Sequence, residues 1–90
     1  RYGKEEKHKK NLQERIDEVC VEYKLTPREK EFIELIYSGK SNKEIAEILF
    51  LSESTVKTHI YNIFRKMNVK SRVGVIYIVN EENEDELPRH

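Results

Sequence analysis

The sequence predicts an all-α domain of four helices preceded by an amphipathic N-terminal linker helix, and three observations carry that prediction. Apolar residues recur at steps of three and four from Leu12 to Met67, the period of helices buried on one side. Helix-start signals of one form also recur, because Thr26, Ser41 and Ser52 each stand just before such a stripe. The one segment with strand-like residues, Val73 to Val79, has no second strand in the chain to pair with. Ninety residues are one domain's worth of chain, too short for two independent cores.

In the first helix Leu12, Ile16, Val19, Cys20 and Tyr23 form one apolar stripe on an otherwise charged segment. The second opens with Thr26 as cap, Pro27 at the first helical position and Glu29 completing a capping box. Phe32, Ile33, Leu35 and Ile36 follow, and Gly39 after Tyr37-Ser38 marks the stop. The third repeats the signature with Ser41 and Glu44, and its expected buried stripe is Ile45, Ile48 and Leu49. Ser52 caps the fourth, where Val56, Ile60, Ile63 and Met67 fall on one face. The fifth segment, Ser71 to Asn80, is rich in Val and Ile and taken alone would read as a strand. With no strand to pair, and with Ser71 as a cap, it is expected to be helical.

Composition excludes several classes of function. The apolar share is 37% and the charged share 38%, against about 25% charged in an average chain, which suits one small core under a charged exterior. Cys20 is the single cysteine, so there is no internal disulfide framework, and its spacing to the three histidines offers no zinc site. It is expected to be a packed thiol in a reduced, cytoplasmic module. The glycines are Gly3, Gly39 and Gly74, which make no phosphate loop. No apolar run approaches the ~20 residues of a membrane helix. Neither an enzyme nor a cofactor is expected.

Seventeen cations balance seventeen acids overall, but the charge is sorted along the chain. Residues 1–11 hold five cations against two acids, a net +3. Residues 52–72 hold five cations against Glu53 alone, a net +4, and residues 81–90 carry a net −4 and are expected to be a solvated tail. The chain opens Arg1-Tyr2-Gly3 without an initiator methionine, so a longer parent is expected. The +3 run before an amphipathic helix fits the cytoplasmic flank of a membrane-anchored sensor, or a charged linker from a soluble receiver.

The helices at 42–49 and 53–67 are joined through Phe50-Leu51-Ser52, the spacing of a helix-turn-helix. Ala46 stands where two such helices approach closely, with Val56 turned back into the crossing. An ordinary helical corner would share that spacing. The outward face of the second helix separates the two readings, because Ser54, Lys57, Thr58, Tyr61 and Arg65 offer donors, methyls and cations without one acid. A merely solvated face mixes both signs, whereas an acid-free face suits a groove walled by phosphates.

Four motifs stand in register: Leu25-Thr26-Pro27-Arg28-Glu29, Ser41-Asn42-Lys43-Glu44-Ile45-Ala46, Leu51-Ser52-Glu53-Ser54-Thr55-Val56-Lys57-Thr58-His59-Ile60, and Lys66-Met67-Asn68-Val69-Lys70-Ser71-Arg72. Together they resemble the LuxR-type, or FixJ/NarL-type, helix-turn-helix DNA-binding domain of bacterial transcription regulators. The resemblance implies a DNA-binding domain at 25–80, with a charged linker and amphipathic helix at 1–24 and the acidic tail at 81–90. It further implies that the domain regulates transcription as the output of a larger signal-responsive regulator, and binds paired half-sites of double-stranded DNA as a homodimer. An upstream sensor or receiver domain is then missing from this chain, and RNA polymerase is a further expected partner.

By motif, Lys57 and Thr58 occupy base-reading positions, and Tyr61 occupies another where relatives often carry a cation. Asn42, Lys43 and Thr55 match phosphate-contact positions, Lys66 is a further candidate, and Ser54 and Arg65 share the same outward face. Val73, Ile76, Tyr77 and Asn80 recur at helical spacing on the last helix, to which the resemblance assigns dimerisation. Phe50 departs from the glycine common in other helix-turn-helix turns. His59 is expected to be structural or phosphate-adjacent, and Glu29 is expected to pair with Arg72. Two alternatives stand beside this reading: a promoter-reading region like that of a sigma factor, and a helical protein-interaction adaptor without DNA binding.

Overall fold

The computed structural model describes residues 9–81. Five helices follow in order, with no strand among the described residues: α1 (Leu12–Glu22), α2 (Pro27–Tyr37), α3 (Asn42–Leu49), α4 (Glu53–Met67) and α5 (Arg72–Glu81). The expected all-α domain is what forms. Most of the N-terminal cationic run, and the tail beyond Glu81, lie outside the described residues, and with them the juxtamembrane and solvated-tail expectations.

The helix starts follow the sequence closely. Thr26 accepts from the Glu29 N–H at 3.1 Å while the Glu29 carboxylate accepts from the Thr26 N–H at 2.9 Å. Ser41 and Glu44 repeat this at 3.1 and 2.8 Å, and Ser52 accepts from the Thr55 N–H at 3.1 Å. A further box, Asn11 with Glu14 at 2.8 and 3.0 Å, opens α1. Each cap satisfies N–H groups that the first turn leaves without partners, and stabilises the domain by about 1 kcal/mol.

The helix ends are less legible. Lys24, Gly39, Phe50 and Asn68 all have positive φ, and each lets the next residue reach back to an earlier carbonyl. Leu25 N–H donates to the Cys20 carbonyl at 2.9 Å, Lys40 to Leu35 at 3.0 Å, Leu51 to Ala46 at 2.9 Å and Val69 to Phe64 at 3.0 Å. These are Schellman closures. Leu25, Leu51 and Val69 then pack against the core, and that burial offsets the strain of a left-handed Lys, Phe or Asn.

The core is one cluster. Ile16 and Val19 come from α1, Phe32, Ile33 and Ile36 from α2, Ile45 and Ala46 from α3, the expected Val56, Ile60, Ile63 and Met67 from α4, and Val75 and Val79 from α5. One expectation fails on α3, where Ile48 is 45% exposed and Ala46 is buried in its place. The physical reason is the tight crossing with α4, which needs a methyl at the contact and rotates Ile48 outward. Val75 and Val79 settle the fifth segment. One helical turn apart, they put their side chains on α1 and α2, whereas a lone strand would leave its backbone unpaired.

Gly74 permits the close approach of α5 to Val69, in the connection after α4. A Cβ there would stand 2.7 Å from Val69 Cβ and 2.9 Å from its Cγ1. Gly74→Ala gains helix propensity of about 1 kcal/mol but forces a shift whose usual cost is about 1–3 kcal/mol. A net loss of stability is expected, and urea unfolding followed by circular dichroism measures it.

Candidate nucleic-acid interface

The α3–α4 corner builds the candidate site. Ala46 and Val56 are 6% and 0% exposed, so the two helices meet where the sequence placed the crossing. The turn between them runs through Phe50 in the left-handed region, with φ 58° and ψ 48°, at the position where glycine is common. Ser52 fixes the entry to α4 twice, because its hydroxyl accepts from the Thr55 N–H and donates to Thr55 Oγ1 at 2.9 Å.

On α4 the expected face is free to meet a partner. Ser54, Lys57, Thr58, Tyr61 and Arg65 are all exposed, and no acid lies among them. Thr58 Oγ1 donates to the Ser54 carbonyl at 3.2 Å, which anchors its hydroxyl. The Arg65 guanidinium lies 5.8 Å from the Tyr61 ring centroid, so the two side chains stack and steady each other. Lys43, in the first turn of α3, is exposed. Thr55 is half-buried and bound up in the cap.

The structure gives two of the proposed phosphate contacts internal partners. Lys66 Nζ bonds Glu29 Oε1 at 2.8 Å, joining α4 to the capping box of α2. Asn42 Oδ1 accepts from Arg72 at 2.5 Å, and Arg72 also donates to the Lys40 carbonyl at 2.8 Å. The expected Glu29–Arg72 pair is therefore corrected. Arg72 sits at the start of α5 and ties it to the start of α3, while Lys66, on the last turn of α4, is the cation that reaches Glu29. Both side chains keep donors to spare, two of the three on the Lys66 ammonium and the amide NH₂ of Asn42.

Glu29 is 7% exposed. Burial pushes its carboxyl up, but the bonds from Lys66 and from Thr26 outweigh it, and the group lies below its ordinary value of 4.5. A depressed carboxyl contributes stability in full above its unfolded value, and that contribution is lost as pH falls through the folded one. Stability should therefore drop as pH falls below about 4.5. Lys66→Met should cost about 1 kcal/mol at neutral pH and move the acid limb upward, since only the Thr26 bonds then oppose burial at Glu29. Urea unfolding at a series of pH values reads both effects.

His59, expected to be structural or phosphate-adjacent, packs against Phe32 with ring centroids 4.8 Å apart and planes tilted 31°. The half-buried Cys20 thiol is pushed up by burial, as befits a packed group. The sequence reading missed Asn62. It is exposed and shares a shallow groove with Glu29, Arg65 and Lys66, and its spacing of four from Thr58 and three from Arg65 was the available signal. On α5, Val73 and Tyr77 are 73% and 61% exposed, Ile76 is half-buried, and Asn80 accepts a hydrogen bond from the Tyr37 hydroxyl at 2.5 Å.

Residues 23–79 match the family model described as bacterial regulatory proteins, luxR family. The chain is 51% identical over 57 residues to the probable csgAB operon transcriptional regulatory protein of Salmonella typhimurium, covering 63% of this chain and 26% of that protein. It is 47% identical over 58 residues to the nitrate/nitrite response regulator protein NarL of Escherichia coli, covering 64% and 27%. With the uncharacterized transcriptional regulatory protein YhcZ of Bacillus subtilis it shares 56% identity over 50 residues, covering 56% and 23%. The chain thus spans about a quarter of the length of these curated relatives. No solved structure matches it. The match takes in the helix-turn-helix and its acid-free face, and the chain belongs to the luxR family of bacterial regulatory proteins, as a helix-turn-helix DNA-binding domain of transcription regulation.

Proposed function

We propose that this domain reads duplex DNA by laying α4 in the major groove, as the output module of a larger signal-responsive regulator in the cytoplasm. Lys57, Thr58 and Tyr61 meet base edges, while Lys43, Ser54, Arg65 and the spare donors of Asn42 and Lys66 follow the phosphates, with Thr55 seating the helix start. The observation that carries this is the exposed, acid-free face of α4. A helix about 10–12 Å across fits a groove about 12 Å wide, and the phosphates on either wall reward cations and punish carboxylates. The sorted charge answers the net balance of the chain, because the partner meets one face and not the sum.

Two copies pair through Val73, Ile76 and Tyr77 of α5, with Asn80 at the edge, and bind half-sites spaced by about 34–36 Å. Exposed apolar side chains at both turns of α5 support that surface. RNA polymerase is the further partner that a transcription regulator on a promoter would meet.

Fluorescence anisotropy with a duplex selected from a random pool tests the DNA reading. Binding should weaken steeply between 50 and 200 mM salt, with a log–log slope near −3 per domain for about three phosphate-facing cations. A slope near zero, or equal affinity for the selected and a scrambled duplex, would reject it.

A further inference from the structure

The luxR-family match begins at residue 23, yet the core does not. Ile16 and Val19 of α1 are 1% and 0% exposed, as deeply buried as any side chain of the matched region. The packing divides into two halves that share α2. In one, α3 and α4 pack on each other and α4 on α2; in the other, α1 and α5 pack on each other and both on α2. The principal packing partners of α5 are thus α1 and α2, and its inward residues Val75 and Val79 are completely buried.

The seam between α1 and α2 is polar and outward. Asp17 pairs with Lys30 at 2.5 Å, and Gln13 Nε2 donates to Glu34 at 3.3 Å. Such contacts hold weakly and can be exchanged, unlike the buried Ile16 and Val19. The lysine's bond is the largest influence on Asp17, whose carboxyl lies below its ordinary value.

We propose that α1 is the brace of α5 and the handle by which a change upstream reaches it: Ile16 and Val19 position α5, so loosening α1 frees α5 while the α3–α4 reader stays folded. The consequence for pairing rests on the proposal that two copies meet through α5. A pull on α1 would then weaken binding to paired half-sites without altering the reading of one. Ile16 and Val19 are positioning residues in this scheme and touch no DNA.

The test uses the 90-residue chain with Asp17→Lys, which sets two cations against each other at the seam, and with Val19→Ala, which thins the brace. Hydrogen exchange should quicken in the α5 amides and leave those of α4 protected. Affinity for a single half-site should stay within about twofold, and cooperativity on a two-half-site duplex should fall about fivefold. Adding Lys30→Asp to Asp17→Lys reverses the pair and should restore both readouts. Exchange that rises equally in α4 and α5, exchange unchanged in α5, or a reversed pair that restores nothing would each overturn the brace. If the unaltered chain shows no cooperativity, the pairing reading falls separately, and α5 exchange alone decides the proposal.

Discussion

Phe32→Ala is expected to leave the domain largely unfolded at 37 °C. Phe32 is 0% exposed at the middle of α2, the helix shared by both packing halves, and its ring lies against His59 of α4. Truncation removes the ring's transfer energy and leaves a cavity that the helices packed on α2 cannot close, a cost of about 3–5 kcal/mol. A domain of this size holds only about that much in total. Phe32→Leu keeps most of the volume and should lose less than half as much. Urea unfolding of both variants against the unaltered chain measures the difference. A Phe32→Ala domain within 1 kcal/mol of the parent would mean that α2 is not the shared spine.

The largest functional effect is expected from Lys57→Ala. Lys57 and Tyr61 lie one turn apart on the exposed face, opposite Val56, Ile60, Ile63 and Met67. An ammonium can donate to guanine O6 and N7, a contact that discriminates bases by about 1–3 kcal/mol. Lys57→Ala should therefore weaken the selected duplex by roughly 5- to 150-fold, and it should flatten the salt slope by about one unit if the ammonium also lies near a phosphate. Tyr61→Phe should leave the slope alone and cost only the hydroxyl's contact. Tyr61→Lys adds a cation to the face, so it should tighten every duplex while lowering the ratio of selected to scrambled binding. Anisotropy at two salt concentrations resolves all three variants. If Lys57→Ala binds both duplexes as the parent does, another element is the reader.

How much of this was legible in the sequence depended on the range of the interaction. Helix starts use residues three apart, so Thr26–Glu29 and Ser41–Glu44 stood in plain view, and Asn11–Glu14 could have been read the same way. Helix ends were legible at Gly39, and Asn68 directly after Met67 offered the same kind of signal. At Lys24 and Phe50 nothing local favours the left-handed turn, which goes with the packing of Leu25 and Leu51 on the core, a tertiary effect. The α4 stripe was correct because fifteen residues sample a face repeatedly, whereas the eight of α3 left the choice between Ala46 and Ile48 to the crossing partner. The Lys66–Glu29 bridge spans 37 residues, and no local pattern could have preferred it over a pair with Arg72. The outward face of α4 needed no tertiary knowledge, since one helix and its charges define it.

Dimethyl sulfate interference reads whether α4 enters the major groove. The reagent methylates guanine N7 in the major groove and adenine N3 in the minor groove, so one experiment interrogates both. Methylation at guanine N7 within each half-site should block binding, and the Lys57→Ala variant should lose that sensitivity at the guanine its ammonium contacts. Adenine N3 methylation at the same base steps should leave binding unchanged. Interference confined to adenine N3 would place the domain in the minor groove and rule out α4 as a major-groove reader.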